Sequence, residues 1–180
     1  MHINKSLILI NRKNEEIMRI ALVAHDSRKK ELIEWVTYNL EELKRHELYA
    51  TGTTGKLISE VSYTDCLDED GNTVRGIVRH YPLKDKVTCL HSGPLGGDAE
   101  IGGMIANEEI DVLIFFCDNL VQQGHQNDIY GLTRLASLYN IPFATNRTTA
   151  DMILTSPLFK DPGYKRIIPE AIQKYRDRKL

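Results

Sequence analysis

The chain has 180 residues, 42% of them hydrophobic and 27% charged, with a net charge of −2. That is enough chain for one domain with a sizeable core, and the balance excludes a global attraction to nucleic acid or an anionic membrane. No apolar run approaches the roughly 18 residues of a bilayer span, Leu7 to Ile10 is too short for a signal-peptide core, and three scattered cysteines, Cys66, Cys89 and Cys117, fit a reducing cytoplasm rather than a disulfide framework or a zinc knuckle.

Residues 1 to 17 read as an N-terminal extension. Leu7 to Ile10 reads as a short added edge strand, as part of an arm that packs on a neighbouring subunit, or as a partly disordered terminus. The regular pattern begins at Met18. Ile20 to Ala24 is continuously apolar and reads as a buried strand. His25-Asp26-Ser27 follows, then a helix to about Arg45 with Leu32, Val36, Leu40 and Leu43 on one face. Asp26 or Ser27 can cap it. Lys29 falls in its first turn, where a cation opposes the helix dipole unless an anion is near.

Glu47 to Ala50 is a second strand, running into Thr51-Gly52-Thr53-Thr54-Gly55 and a helix from Lys56 to about Ser62. Strand, hydroxyl-rich glycine turn and helix is the layout of a phosphate cradle, although the glycine spacing matches neither a P-loop nor a dinucleotide fingerprint. A capped turn without a ligand reads equally well. Residues 63 to 86 interrupt the pattern as an inserted hairpin, with Asp70-Gly71 a suitable turn. Val87 to Leu90 is the third core strand. It delivers Ser92-Gly93-Pro94-Leu95-Gly96-Gly97-Asp98 ahead of a helix from Ala99 to Asn107. That stretch reads as an anion-holding turn with Asp98 as a base, or as a plain strand-to-helix turn with Asp98 as N-cap.

Asp111 to Cys117 is the strongest strand in the chain. A polar loop from Asp118 to Asp128 contains His125, and a helix from Ile129 to Tyr139 follows. Ile141 to Thr145 is a last short strand, before a helix from Thr149 to about Leu154 and a basic tail with Arg176, Arg178 and Lys179. Alternating strands and helices predict an α/β fold: a single doubly wound parallel-sheet domain in three α/β/α layers. Such sheets bind ligands at the carboxyl ends of their strands. Four polar clusters fall there: His25-Asp26, Thr51 to Gly55, Ser92 to Asp98, and Asp118 to Asp128.

Together these stretches carry a resemblance. Ala21 to Asp26, Tyr49 to Gly55, Ser92 to Asp98, Asp111 to Phe116 and Ile141 to Asn146 resemble the methylglyoxal synthase family, from about Arg19 to Ser156 around the 63–86 insertion. The domain boundaries that follow are 1–17 for the extension, 18–156 for the α/β domain and 157–180 for a tail expected to complete a site, its own or that of a neighbouring subunit. The resemblance implies conversion of dihydroxyacetone phosphate to methylglyoxal and inorganic phosphate without metal or organic cofactor. It also implies a cytoplasmic homo-oligomer, with a hexamer favoured, and inorganic phosphate as product and inhibitor. A non-catalytic phosphate-binding regulatory module of the same fold is the alternative.

The resemblance implies Asp98 as the base that removes a carbon-bound proton, and His125 as the donor that polarises the carbonyl. It implies Asp118 and Asp128 as carboxylates that orient His125 and shuttle protons. Lys29, Thr51, Thr53, Thr54, Ser92 and Gly93 match the family's phosphate positions, His25 joins the substrate-binding set, and Arg178 sits where the family supplies a C-terminal arginine. The loop departs from the family at Cys117, where the family has Trp, and at Asn119, Gly124 and Asn127, where it has prolines, which implies a less rigid seat for His125. The spacing from Asp118 to His125 to Asp128 is retained.

Overall fold

The computed structural model describes residues 17–67, 73–121 and 124–178. Leu7 to Ile10, Asp70-Gly71 and Lys179 lie outside them. Five parallel strands form the sheet: β1 (Arg19–Ala24), β2 (Glu47–Thr51), β5 (Val87–Leu90), β6 (Val112–Phe116) and β7 (Phe143–Ala144), in the order β5-β2-β1-β6-β7. The helices are α1 (Lys29–Tyr38), α2 (Leu40–Leu43), α3 (Gly52–Ser59), α4 (Gly97–Ala106), α5 (Gln126–Leu138), α6 (Arg147–Thr155) and α7 (Glu170–Arg176). This is the doubly wound α/β sheet that the alternation predicts. Between 63 and 80 the chain leaves the sheet as an antiparallel pair, β3 (Tyr63–Leu67) and β4 (Thr73–His80).

The period of two along β1 divides the core into two halves. Ile20, Leu22 and Ala24 pack into one half with Leu32, Trp35, Ile58 and Leu154, under α1, α3 and α6. Ala21 and Val23 pack into the other with Ile101, Ile105, Leu132 and Ala136, under α4 and α5. Both faces of β1 and β6 are therefore apolar, which is why their sequences read as unbroken runs. Trp35 is fully buried, lies 6.1 Å from the Phe116 ring, and donates its Nε1–H to Asp151 Oδ1 at 2.7 Å. At the opposite sheet edge Arg19 and Asp111 form a bidentate pair at 2.8 and 2.9 Å that fixes the starts of β1 and β6 side by side.

Several boundaries differ from the sequence reading, and each difference moves a functional residue. The helix expected to start at Lys56 starts at Gly52, so Thr53 and Thr54 stand in its first turn. The helix expected at Ala99 starts at Gly97. Asp98 is therefore inside it, and the N-cap is Gly96, in the left-handed region at φ 105°. Asp26 and Ser27 do not cap α1 but sit in a 3-10 turn, Asp26–Arg28, ahead of it. The single helix expected to Arg45 breaks at Asn39 into α1 and α2.

Gly97 starts α4 hard against the end of β5. A Cβ there would stand 2.9 Å from the His91 carbonyl carbon and 3.1 Å from that of Ser92, all of it backbone. Gly103, on the same helix, has nothing within 4 Å of the same position. Gly97→Ala is expected to cost about 1–3 kcal/mol by overpacking, whereas Gly103→Ala gains up to about 1 kcal/mol from helix propensity. Urea unfolding of the two variants checks the contrast.

Candidate active site

The sheet reverses its strand order between β1 and β6, and a cavity of about 360 Å³ opens at the carboxyl ends of the strands there. His25, Lys29, Thr51, Thr53, Thr54, Ser92, Gly93, Asp98 and His125 all line it. Nine of the twelve residues singled out from sequence thus meet in one place. Asp26, Pro94 and Phe115 line it as well and were not singled out. Asp26 carried a signal, its place in the His25-Asp26 pair at the end of β1. Phe115 carried none beyond its strand.

Asp98 is the most buried titratable group lining the cavity. It is 2% exposed, and its Oδ2 makes no hydrogen bond among the described residues. His125 Nε2 stands 3.4 Å away. Burial raises the Asp98 pKa. His125 works against that, the charge of Asp128 adds to it, and His25 opposes it. The result is a carboxylate held as a stronger base than an exposed aspartate. Gly93 keeps the space beside this pair open, because a Cβ there would stand 3.0 Å from Asp98 Oδ2 and 3.2 Å from His125 Nε2.

His25 is 6% exposed and closes the other wall. The backbone N–H of Asp118 donates to its Nδ1 at 2.7 Å. Nδ1 therefore holds the lone pair, and the ring proton sits on Nε2, which is buried and unpaired among the described residues. Burial lowers the His25 pKa, so the ring is a neutral donor rather than a cation. Asp118 is half-buried and lies outside the cavity lining. Its Oδ2 accepts from Ser27 Oγ at 2.5 Å and its Oδ1 from the Leu120 N–H at 3.0 Å. These bonds, led by the one from Ser27, hold its carboxyl below the usual carboxylate range. Asp118 thus backs His25, whereas the resemblance implies that it orients His125.

The remaining residues form a donor cradle. Lys29 Nζ bridges Asp26 Oδ1, at 2.5 Å, and Thr53 Oγ1. Thr51 and Thr54 are buried beside it at the start of α3, whose first-turn amides favour an anion. Gly52, at φ 24°, brings this turn against Ser92: a Cβ there would lie 2.8 Å from Ser92 Cα. One ammonium, four hydroxyls and a helix start therefore face the cavity opposite Asp98.

Besides Asp118, two more of the predicted residues lie outside the cavity. Asp128 is exposed in the first turn of α5, where its amide donates to the His125 carbonyl at 3.0 Å. It reaches Asp98 only through its charge. Arg178 is exposed beyond α7, its guanidinium stacked 4.0 Å over the Tyr175 ring. Among the described residues no group of three or more His, Cys, Asp or Glu is placed to hold a metal ion.

This geometry can be set beside known proteins. The family model for the MGS-like domain matches residues 73–145. The methylglyoxal synthase of Coxiella burnetii (strain Dugway 5J108-111) is 45% identical over 162 residues, 90% of this chain and 97% of the relative. The chain belongs to the methylglyoxal synthase family. The methylglyoxal synthase of Treponema socranskii is also 45% identical, over 82% of this chain and 83% of the relative. The crystal structure of methylglyoxal synthase from Elizabethkingia anophelis NUHP1 superposes with a TM-score of 0.70 at 39% identity, covering 92% of this chain and 94% of that one. No helix among the described residues is long and apolar enough to cross a membrane.

The raised Asp98 pKa has a thermodynamic consequence. An aspartate whose folded pKa lies above its unfolded value binds protons more tightly when folded, so its ionised form opposes folding at neutral pH. That cost vanishes as pH falls below the unfolded value, about 3.9. Asp98→Asn is therefore expected to melt higher than the wild type at pH 7, with the gap closing as pH falls toward 4. Calorimetry across that range checks the sign.

Proposed function

We propose that the chain is a lyase that converts dihydroxyacetone phosphate to methylglyoxal and inorganic phosphate. The observation that carries this is one buried carboxylate facing two imidazoles, with a cationic and hydroxyl cradle across the same cavity. Its relatives' names point the same way. The substrate phosphate takes the Lys29 ammonium, the hydroxyls of Thr51, Thr53, Thr54 and Ser92, and the Gly93 amide, displacing the contact between Lys29 and Asp26. The carbonyl oxygen then faces His125 Nε2 and the Nε2–H of His25.

Asp98 removes a proton from the hydroxymethyl carbon beside the carbonyl. The electron pair forms a carbon–carbon double bond, and the carbonyl oxygen takes up negative charge, which the imidazole N–H groups stabilise. The enediolate collapses by expelling phosphate: the remaining hydroxyl gives up its proton and becomes the aldehyde carbonyl, the carbon–carbon double bond shifts to the phosphate-bearing carbon, and the C–O bond there breaks, its electron pair leaving with phosphate, which takes up the hydroxyl proton. The enolate that remains takes, at its terminal CH2, the proton first removed by Asp98 and becomes methylglyoxal. A neutral His25 suits this role, since it donates a hydrogen bond without itself changing charge. The cradle also accounts for phosphate as product and inhibitor. In this reading Asp128 tunes Asp98 from a distance, and Arg178 serves a neighbouring subunit of a cytoplasmic homo-oligomer, a hexamer by family resemblance.

The purified chain is expected to release phosphate from dihydroxyacetone phosphate with methylglyoxal formed in equal amount. Asp98→Asn is expected to lower kcat by at least about 100-fold, the scale of a lost general base. A phosphate and dicarbonyl assay run in parallel decides this, and absence of phosphate release at saturating substrate overturns the reading in favour of a phosphate-binding module without turnover. Lys29→Ala is expected to raise KM by about 10-fold or more while leaving the protein folded, on the scale of a lost charge-assisted hydrogen bond.

A further inference from the structure

Glu100 lies outside the cavity, on α4, two residues beyond Asp98. Its carboxylate makes two hydrogen bonds to one residue. Oε2 accepts from the backbone N–H of His91 at 2.8 Å, and Oε1 from the His91 ring at Nδ1 at 2.7 Å. A carboxylate only accepts, so Nδ1 carries the proton. These bonds hold the Glu100 pKa below its ordinary value, the backbone bond most of all.

His91 is the first residue after β5, and three parts of the site meet at it. Its carbonyl accepts the N–H of Gly52 at 3.1 Å, at the start of the cradle helix α3. The next two residues, Ser92 and Gly93, line the cavity. The backbone of His91 also closes on Gly97, the residue before Asp98, leaving no room for a Cβ there. The turn from Ser92 to Gly96 is braced from within by bonds from the Leu95 and Gly97 amides to the Ser92 carbonyl, at 2.9 and 3.0 Å. Glu100 is the side chain that ties the entry of this turn to the helix at its exit.

We propose that Glu100 is a positioning residue for the reaction: through its two-point grip on His91 it sets the distance between the phosphate cradle at Ser92-Gly93 and the base at Asp98. The inference rests on the lyase reading above. The clearance it governs is small, since Gly93 stands close to both Asp98 and His125. A displacement on the order of 1 Å in such a site costs up to about 100-fold in rate. The backbone bond carries the grip and the imidazole fixes the carboxylate plane.

The test uses the full chain and compares Glu100→Ala, Glu100→Gln and His91→Ala with the wild type. Steady-state phosphate release and melting temperature are measured for each. Glu100→Ala is expected to lose between about 10- and 100-fold in kcat/KM with a melting temperature close to wild type. Glu100→Gln, whose amide oxygen still accepts the His91 N–H, is expected to recover most of that loss. His91→Ala keeps its backbone N–H and is expected to lose only about 2- to 3-fold, the scale of one exposed hydrogen bond. Wild-type kcat/KM in Glu100→Ala overturns the proposal. So does a loss that Glu100→Gln leaves unrepaired, or one that merely follows a fall in melting temperature. A second measurement separates this from the lyase reading. If the wild type releases no phosphate, that reading fails, while the grip is still read through inorganic phosphate: its stabilisation of the wild type against heat disappears in Glu100→Ala if the grip sets the cradle, and its persistence overturns the proposal.

Discussion

The parallel pairing of β1 with β6, Ile20 to Ala24 against Val112 to Phe116, decides where everything else falls. β2 and β5 extend the sheet on one side of β1, and β6 and β7 on the other. Chain leaving β1 and chain leaving β6 therefore diverge, one toward α1 and the other toward the His125 loop, and a crevice opens between them. The pairing also puts Asp118 next to His25, since the His25 N–H donates to the Phe116 carbonyl at 3.2 Å and the Asp118 N–H returns to the His25 ring. A slip of one residue would turn every side chain of β1 to the opposite face. The bidentate Arg19–Asp111 pair at the far end of the same two strands opposes such a slip.

Burial then acts in opposite directions on two groups of one cavity. It disfavours the charge on Asp98 and raises its pKa, and it disfavours the charge on His25 and lowers its pKa. The two shifts suit proton transfer: a base strengthened by desolvation beside a neutral donor that has nothing to give up but a hydrogen bond. The cradle across the cavity concentrates positive character that the chain as a whole lacks, at a net charge of −2. The positive character of the cavity is thus a local product of Lys29 and the α3 start, not of composition.

The sheet is legible because two of its inner strands, β1 and β6, are apolar on both faces, and the strand ends are legible because polar residues cluster after them. What could not be read were features set by backbone contacts across the fold. The N–H of Asp118 fixes the tautomer of His25, and a backbone group has no signature in the residue that bears it. The helices start earlier than the sequence predicts, at Gly52 and Gly97, because glycine is a poor helix former and reads as turn; both are there for close approach, to Ser92 and to His91. Asp128 keeps the spacing expected of a site residue, yet it is exposed and bears on Asp98 only through its charge. Arg178, in the same way, occupies a matching place in the chain but not in this cavity.

The single tryptophan gives the molecule one optical origin. Trp35 is sealed in the half of the core beneath α1 and α6, with its indole N–H held by Asp151 and its ring near Phe116. Asp98 and α4 belong to the opposite half, across the sheet. Indole emission therefore follows the integrity of the sheet and of α6. A red shift in that emission marks loss of the core, and a change in catalysis without one marks a fault confined to the cavity.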